Sequence, residues 1–315
     1  MQTIEYIAGG RRARLLAAAC VLALTGCIDS GGSSGTPELV WGVQGIDKGE
    51  LQKPRAIAID AKDQIYLVDM TGRIQVYDTD GKYLRGWRTP VSVNGRPTGL
   101  TMAKSGRLLV PDTHYYRVLT YEADGTPVED ATLGGVMGPA PGEFGWVTDV
   151  AEDSKGNLYV SEYGDTDRIQ KFSPEGEFLL QWGGSGEELG QFRRPQSMAI
   201  DEQDRVWVAD SCNHRIQIFD SEGKLLDHWG EEGAEPGKLY YPYGILLDGK
   251  GHVYVCEYGN HRVQKFTLEG KSLGTWGSHG REPGQLNSPW AVALDSEGRL
   301  NVLDSSNHRV QRIRF

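Results

Sequence analysis

The sequence predicts an all-β protein: a six-bladed β-propeller of four-stranded antiparallel blades, with the ring closed by the N-terminal strand. Three observations carry this. A pair of positions nine residues apart recurs six times, acidic at both members in five copies. A column of tryptophans is out of step with that pair by part of one repeat. No stretch shows the 3.6-residue apolar period of an amphipathic helix.

In chain order, residues 1–26 read as a lipoprotein signal peptide. Arg11, Arg12 and Arg14 precede an uncharged apolar run, Leu15 to Leu24. That run is too short to span a bilayer core of about 30 Å. It ends Leu24-Thr25-Gly26-Cys27, which resembles a bacterial lipobox and makes Cys27 the expected lipidation site. Residues 27–37, rich in Gly and Ser, read as the lipidated cysteine and a flexible tether. Residues 38–315 are the propeller. The expected location is the cell envelope, lipid-anchored and facing the periplasm or the exterior. Ile28 after the cysteine, where Asp would mark retention, favours the outer membrane. The membrane is met through the lipid anchor only.

The whole chain carries −10, and residues 1–26 hold three Arg and one Glu, so the mature part is about −12. A chain that acidic is a poor ligand for phosphate backbones, and no nucleic-acid partner is expected. Apart from Cys20 and Cys27 there are only Cys212 and Cys256, which are either separate thiols or one bridge.

Each copy then follows one template. A first acid closes a short apolar run at Asp60, Asp153, Asp201, Asp248 and Asp295, with Ala103 in the second copy. Nine residues on stands Asp69, Asp112, Glu162, Asp210, Glu257 or Asp304, at spacings of 43, 50, 48, 47 and 47. An arginine follows each time: Arg73, Arg117, Arg168, Arg215, Arg262, Arg309. These columns read as ion pairs that satisfy the loop between the second and third strands. In the fourth copy, runs of alternating residues at 195–201, 205–210, 215–220 and 225–230 give four strands. The column Trp87, Leu133, Trp182, Trp229 and Trp276 marks fourth strands. The sixth copy lacks one, while a surplus Trp41-Gly42 lies upstream, so Glu38 to Gly42 is expected to complete the last blade.

Asn213-His214-Arg215, Asn260-His261-Arg262 and Asn307-His308-Arg309, each preceded by an acid and followed by a β-branched residue and Gln, resemble the NHL repeat. So does Gly190-Gln191-Phe192-Arg193-Arg194-Pro195. Copies two and three depart from it: Asp112 to Arg117 lacks the Asn-His pair, and Glu162 to Arg168 has one residue more. The resemblance implies a propeller and a range of roles, from protein-binding platforms to a few enzymes. The histidines fall one per blade around a ring, which suits turn chemistry rather than a metal.

Positions where the copies differ carry more information. The residue that opens each first strand, beside the central channel, is Arg55, Thr98, Thr148, Gln196, Tyr243 or Trp290. The next is small in five copies and Asp149 in the third. Trp146, Arg193, Arg194, Tyr240 and Tyr241 lie just before. Arg55, Thr98, Trp146, Asp149, Gln196, Tyr243 and Trp290 are the candidate ligand-binding mouth on the upper face, for a protein, peptide or small polar ligand of the cell envelope. The enzyme resemblance is weaker. The peptidyl-hydroxyglycine lyase of this family holds zinc by channel histidines, and no mouth position here is His. Lactonase-type propellers hold calcium by several inner-strand oxygen ligands, and Asp149 stands alone. The expectation is a monomeric binding scaffold without metal or cofactor; the alternative is a propeller hydrolase or lyase with its site in the channel.

Overall fold

The computed structural model describes residues 35–315, and the expected signal peptide and Cys27 lie outside the described residues. Six four-stranded antiparallel sheets are arranged as the predicted ring. Blade four is typical: Pro195–Ile200, Val206–Asp210, Arg215–Phe219 and Leu225–Trp229. Its second strand is buried at every residue, because neighbouring blades cover both faces. That is why the middle strands read as continuous apolar runs rather than clean alternations. The core is shared between blades: Trp207, Ile216 and Ile218 pack on Ile245, Val253, Val255 and Phe266 of blade five. Burying each such side chain is worth about 1.5–3 kcal/mol.

The columns find their partners. Asp201 Oδ1 accepts the backbone N–H of Gln203 and Arg205, closing the first turn, and Asp60, Asp153, Asp248 and Asp295 do the same. All six second-column acids pair with their arginines, from Arg168–Glu162 at 2.5 Å to Arg117–Asp112 at 2.9 Å. A glutamine joins five of these networks. Gln217 donates to Asp210 and to the Gln191 carbonyl, and its Oε1 accepts from Gly190 N.

His214, His261 and His308 have the turn role expected of them. Each sits at φ between +53° and +57°, and its Nδ1 accepts a backbone N–H from the following blade: Tyr241, Ser288 and Lys53 respectively. In blade three, Asp167 does the same for Arg194 N at 3.0 Å, so the longer loop keeps the latch with a different acceptor. In blade two the position is Tyr116, at φ +55° but without a ring nitrogen. Lys53, Arg194, Tyr241 and Ser288 are all turned to positive φ, whereas their counterpart Trp146 is not. It continues as the start of the strand Trp146–Glu152, paired with Tyr163.

Blade two is the irregular one. Its first strand is only Thr101–Met102, because Pro111 in the facing strand has no N–H to offer above Leu109. Its fourth is only Leu133–Gly134.

The ring closes as the tryptophan column predicts. Leu39–Trp41 is the outer strand of blade six, antiparallel to Arg309–Ile313, with Trp41 opposite Val310. Between blades, a turn glycine sits on the preceding tryptophan. A Cβ on Gly81, Gly223 or Gly270 would lie 2.4–2.7 Å from Trp41, Trp182 or Trp229. Trp276 has no such turn against it, and its indole N–H donates instead to the Gly35 carbonyl at 2.8 Å. The tether was expected to run free through residue 37. Gly35 is bonded to Trp276 and Pro37 is buried, because they fill that vacant turn position.

Candidate functional site

The residue after the proline position opens each first strand, and in four blades it falls on a β-bulge. The register shifts between Pro54 and Ala56, Val147 and Asp149, Pro195 and Ser197, and Pro242 and Gly244. The extra residue is unpaired, so its side chain is freed from the ladder. In this way Arg55 and Tyr243 come to line the upper end of a central cavity of about 770 Å³, which Trp290 of blade six, Thr98, Asp149 and Gln196 also line.

Six side chains from five blades make one continuous arc there. The Arg55 guanidinium lies over the Trp290 ring at 5.3 Å. Trp290 meets Tyr243 edge-on at 5.0 Å, and Tyr258 stacks on Tyr243 at 4.6 Å. Arg194 lies over Tyr243 at 5.3 Å and over Tyr163 at 4.8 Å, while its Nε donates to Gln196 at 2.9 Å. The six loop arginines each hold a carboxylate. Among the described residues, Arg55, Arg96 and Arg194 form no ion pair with one. Burial holds the Arg55 guanidinium below its ordinary value, and the positive charges of Arg194 and Arg96 push the same way. The Trp290 indole N–H is buried without an acceptor. A desolvated Arg55 with Arg194 along the same arc, and an orphan donor beside aromatic faces, can receive an anion.

The other expected mouth residues are placed differently. Thr98 is buried and shares a hydrogen bond with Thr113 at 2.7 Å. Asp149 lines the cavity, but its oxygens accept Val150 N at 2.9 Å and Met198 N at 2.8 Å, so it braces blade three to blade four. Trp146 does not line the central cavity. Left unturned for want of a latch at Tyr116, it packs beside Tyr163 at 5.2 Å and faces a separate pocket of about 350 Å³. Tyr240 and Tyr241 pack on His214, and Arg193 pairs with Glu187 at the exposed rim. Tyr163 and Tyr258 belong to the arc and were not foreseen. Their signal is the position just after the second acid, where the copies read Met70, Thr113, Tyr163, Ser211, Tyr258 and Ser305. Cys212 and Cys256 are separate thiols. Among the described residues, no three His, Cys, Asp or Glu side chains converge as a metal site requires.

Residues 192–219, 239–266 and 286–313 match the NHL repeat. The peptidyl-glycine alpha-amidating monooxygenase of Mus musculus is 31% identical over 182 residues, 55% of this chain and 18% of that protein. NHL repeat-containing protein 3 of Mus musculus is 27% identical over 177 residues, 50% of this chain and 49% of that one. The matched stretch thus spans about a fifth of the amidating monooxygenase and about half of the second relative. Among solved structures, a catalytically inactive virginiamycin B lyase from Staphylococcus aureus with quinupristin has TM-score 0.60 and 14% identity, covering 87% of each chain. A streptogramin B lyase has TM-score 0.59 and 11% identity, covering 86% of this chain and 95% of that one. At such identities the likeness is one of fold.

Proposed function

Because this chain is a six-bladed propeller carrying NHL repeats, we propose that it is a binding module whose upper mouth receives a small ligand or peptide through an anionic group. The observation that carries the reading is the arc Arg55–Trp290–Tyr243–Arg194–Tyr163, two cations held on aromatic faces with no carboxylate of their own. Arginine supplies the fork for a carboxylate, and the rings supply rigid contact area at little entropic cost. The cavity volume lies in the range used for small molecules. In the same reading the module is held at the cell envelope by lipid on Cys27 and works there as a scaffold or receptor.

The test is titration calorimetry of the mature protein against a panel of small carboxylates and short peptides. Replacing Arg55→Ala, Tyr243→Ala and Trp290→Ala together should weaken the binding detected by at least tenfold, about 1.4 kcal/mol. The triple variant should still fold, with its far-ultraviolet circular dichroism unchanged, at a lower melting temperature because Trp290 packs against the core shared by blades one and six. Unchanged affinity in the triple variant would refute the mouth as the site.

A lyase or hydrolase reading has one observation in its favour, the 31% identity to amidating monooxygenases over half of this chain. One equivalent of tightly held zinc or calcium in the purified protein would favour it over the binding module.

A further inference from the structure

Trp146 leads to a second cavity. It is walled by Met137, Pro139, Trp146 and Tyr163, with the backbone of Gly138, Gly145 and Gly164 between them, and its polar lining is Asp165 and Thr166. This lining is unusual for the position. The loops that lead into blades one, four, five and six carry Gln44, Ser185, Glu232 and His279 where this one carries Met137, as their shared bridge position fixes. The Met137 and Trp146 side chains are also large and apolar, yet 53% and 38% exposed. Exposing such groups costs solvation free energy, which a bound apolar group would recover at about 25 cal/mol per Å² covered.

The pocket is not isolated from the mouth. Tyr163 belongs to both: Arg194 lies over its ring at 4.8 Å, and Trp146 packs beside it at 5.2 Å. A ligand whose anionic group rests on Arg194 therefore needs only a short linker to reach the Trp146 pocket. We propose that this pocket is the second half of the binding site, and that the ligand is a carboxylate bearing a flat apolar group on a linker that spans Tyr163. The inference rests on the mouth reading above, and it adds what distinguishes this ligand from any other small acid.

The probes are acetate, propionate and butyrate beside naphthylacetate, naphthylpropionate and naphthylbutyrate, titrated into the mature protein by calorimetry. At least one naphthyl acid should bind tenfold or more tighter than its plain counterpart. Met137→Ser, a neutral change at a position 53% exposed, should abolish that gain and leave the plain acids unchanged. Arg194→Ala should weaken both series. Equal affinities in the two series, or a gain that survives Met137→Ser, would overturn the pocket while leaving the mouth standing. Absence of binding by all six acids would overturn both readings.

Discussion

Burial pushes the Asp149 carboxyl up to about 6, against the pull of the Met198, Ser197 and Val150 hydrogen bonds. The folded state therefore holds this proton more tightly than the unfolded chain does. Stability from this group is greatest below pH 4 and falls as pH rises towards 6, by at most about 3 kcal/mol for a shift of about two units. The latch histidines slope the other way. Burial lowers the pKa of His214, His261 and His308, and each uses Nδ1 as an acceptor, so their contribution is lost as pH falls. The whole-protein profile sums both, and the clean readout is the difference between wild type and Asp149→Asn. Between pH 4.5 and 8 that difference should move by about 1–3 kcal/mol in favour of the variant in urea denaturation; a difference flat with pH would refute the assignment. Residue scale is also where the sequence was least legible. The direction of Trp146 depends on Tyr116, thirty positions earlier, lacking a ring nitrogen. Arg194 and Tyr163 meet only because their blades are neighbours in space. Neither fact has a local signature.

At the scale of strands, most of the architecture was legible, because each element repeats and errors in one copy are corrected by five others. The acid, arginine and tryptophan columns located all six blades. What escaped was the thinning of blade two, where Pro111 removes a donor, and the docking of residues 35–37 on Trp276. The outer strand Leu39–Trp41 is the element with most at stake. It brings the buried Trp41, which packs on Tyr77 at 4.8 Å, and ladder bonds to Arg309–Ile313. Deleting residues 35–42 should cost several kcal/mol, since Trp truncation in a core alone costs about 3–5. It should also leave a bare sheet edge that self-associates. The check is melting temperature together with sedimentation; an unaltered melting point and a monomer would contradict the closure argument.

For the whole molecule, charge and the proposed lipid anchor set the working context. A chain of −10 repels an anion at a distance while the proposed mouth would pair it with arginine at contact, so added salt should speed association and shorten the lifetime of the complex in stopped-flow measurements. Cys27→Ser should move the protein from the membrane fraction to the soluble envelope extract; a variant that still sediments with membranes would refute the lipid anchor. The seam has one more implication, in time rather than in space. Leu39–Trp41 leaves the ribosome early, and the strand it must join, Arg309–Ile313, follows roughly 270 residues later, an interval on the order of 10–50 s at ordinary synthesis rates. Throughout it, Leu39–Trp41 lacks the partner that helps bury Trp41, and of all the pairings in the described ring this one closes the longest stretch of chain and carries the largest loop-closure cost.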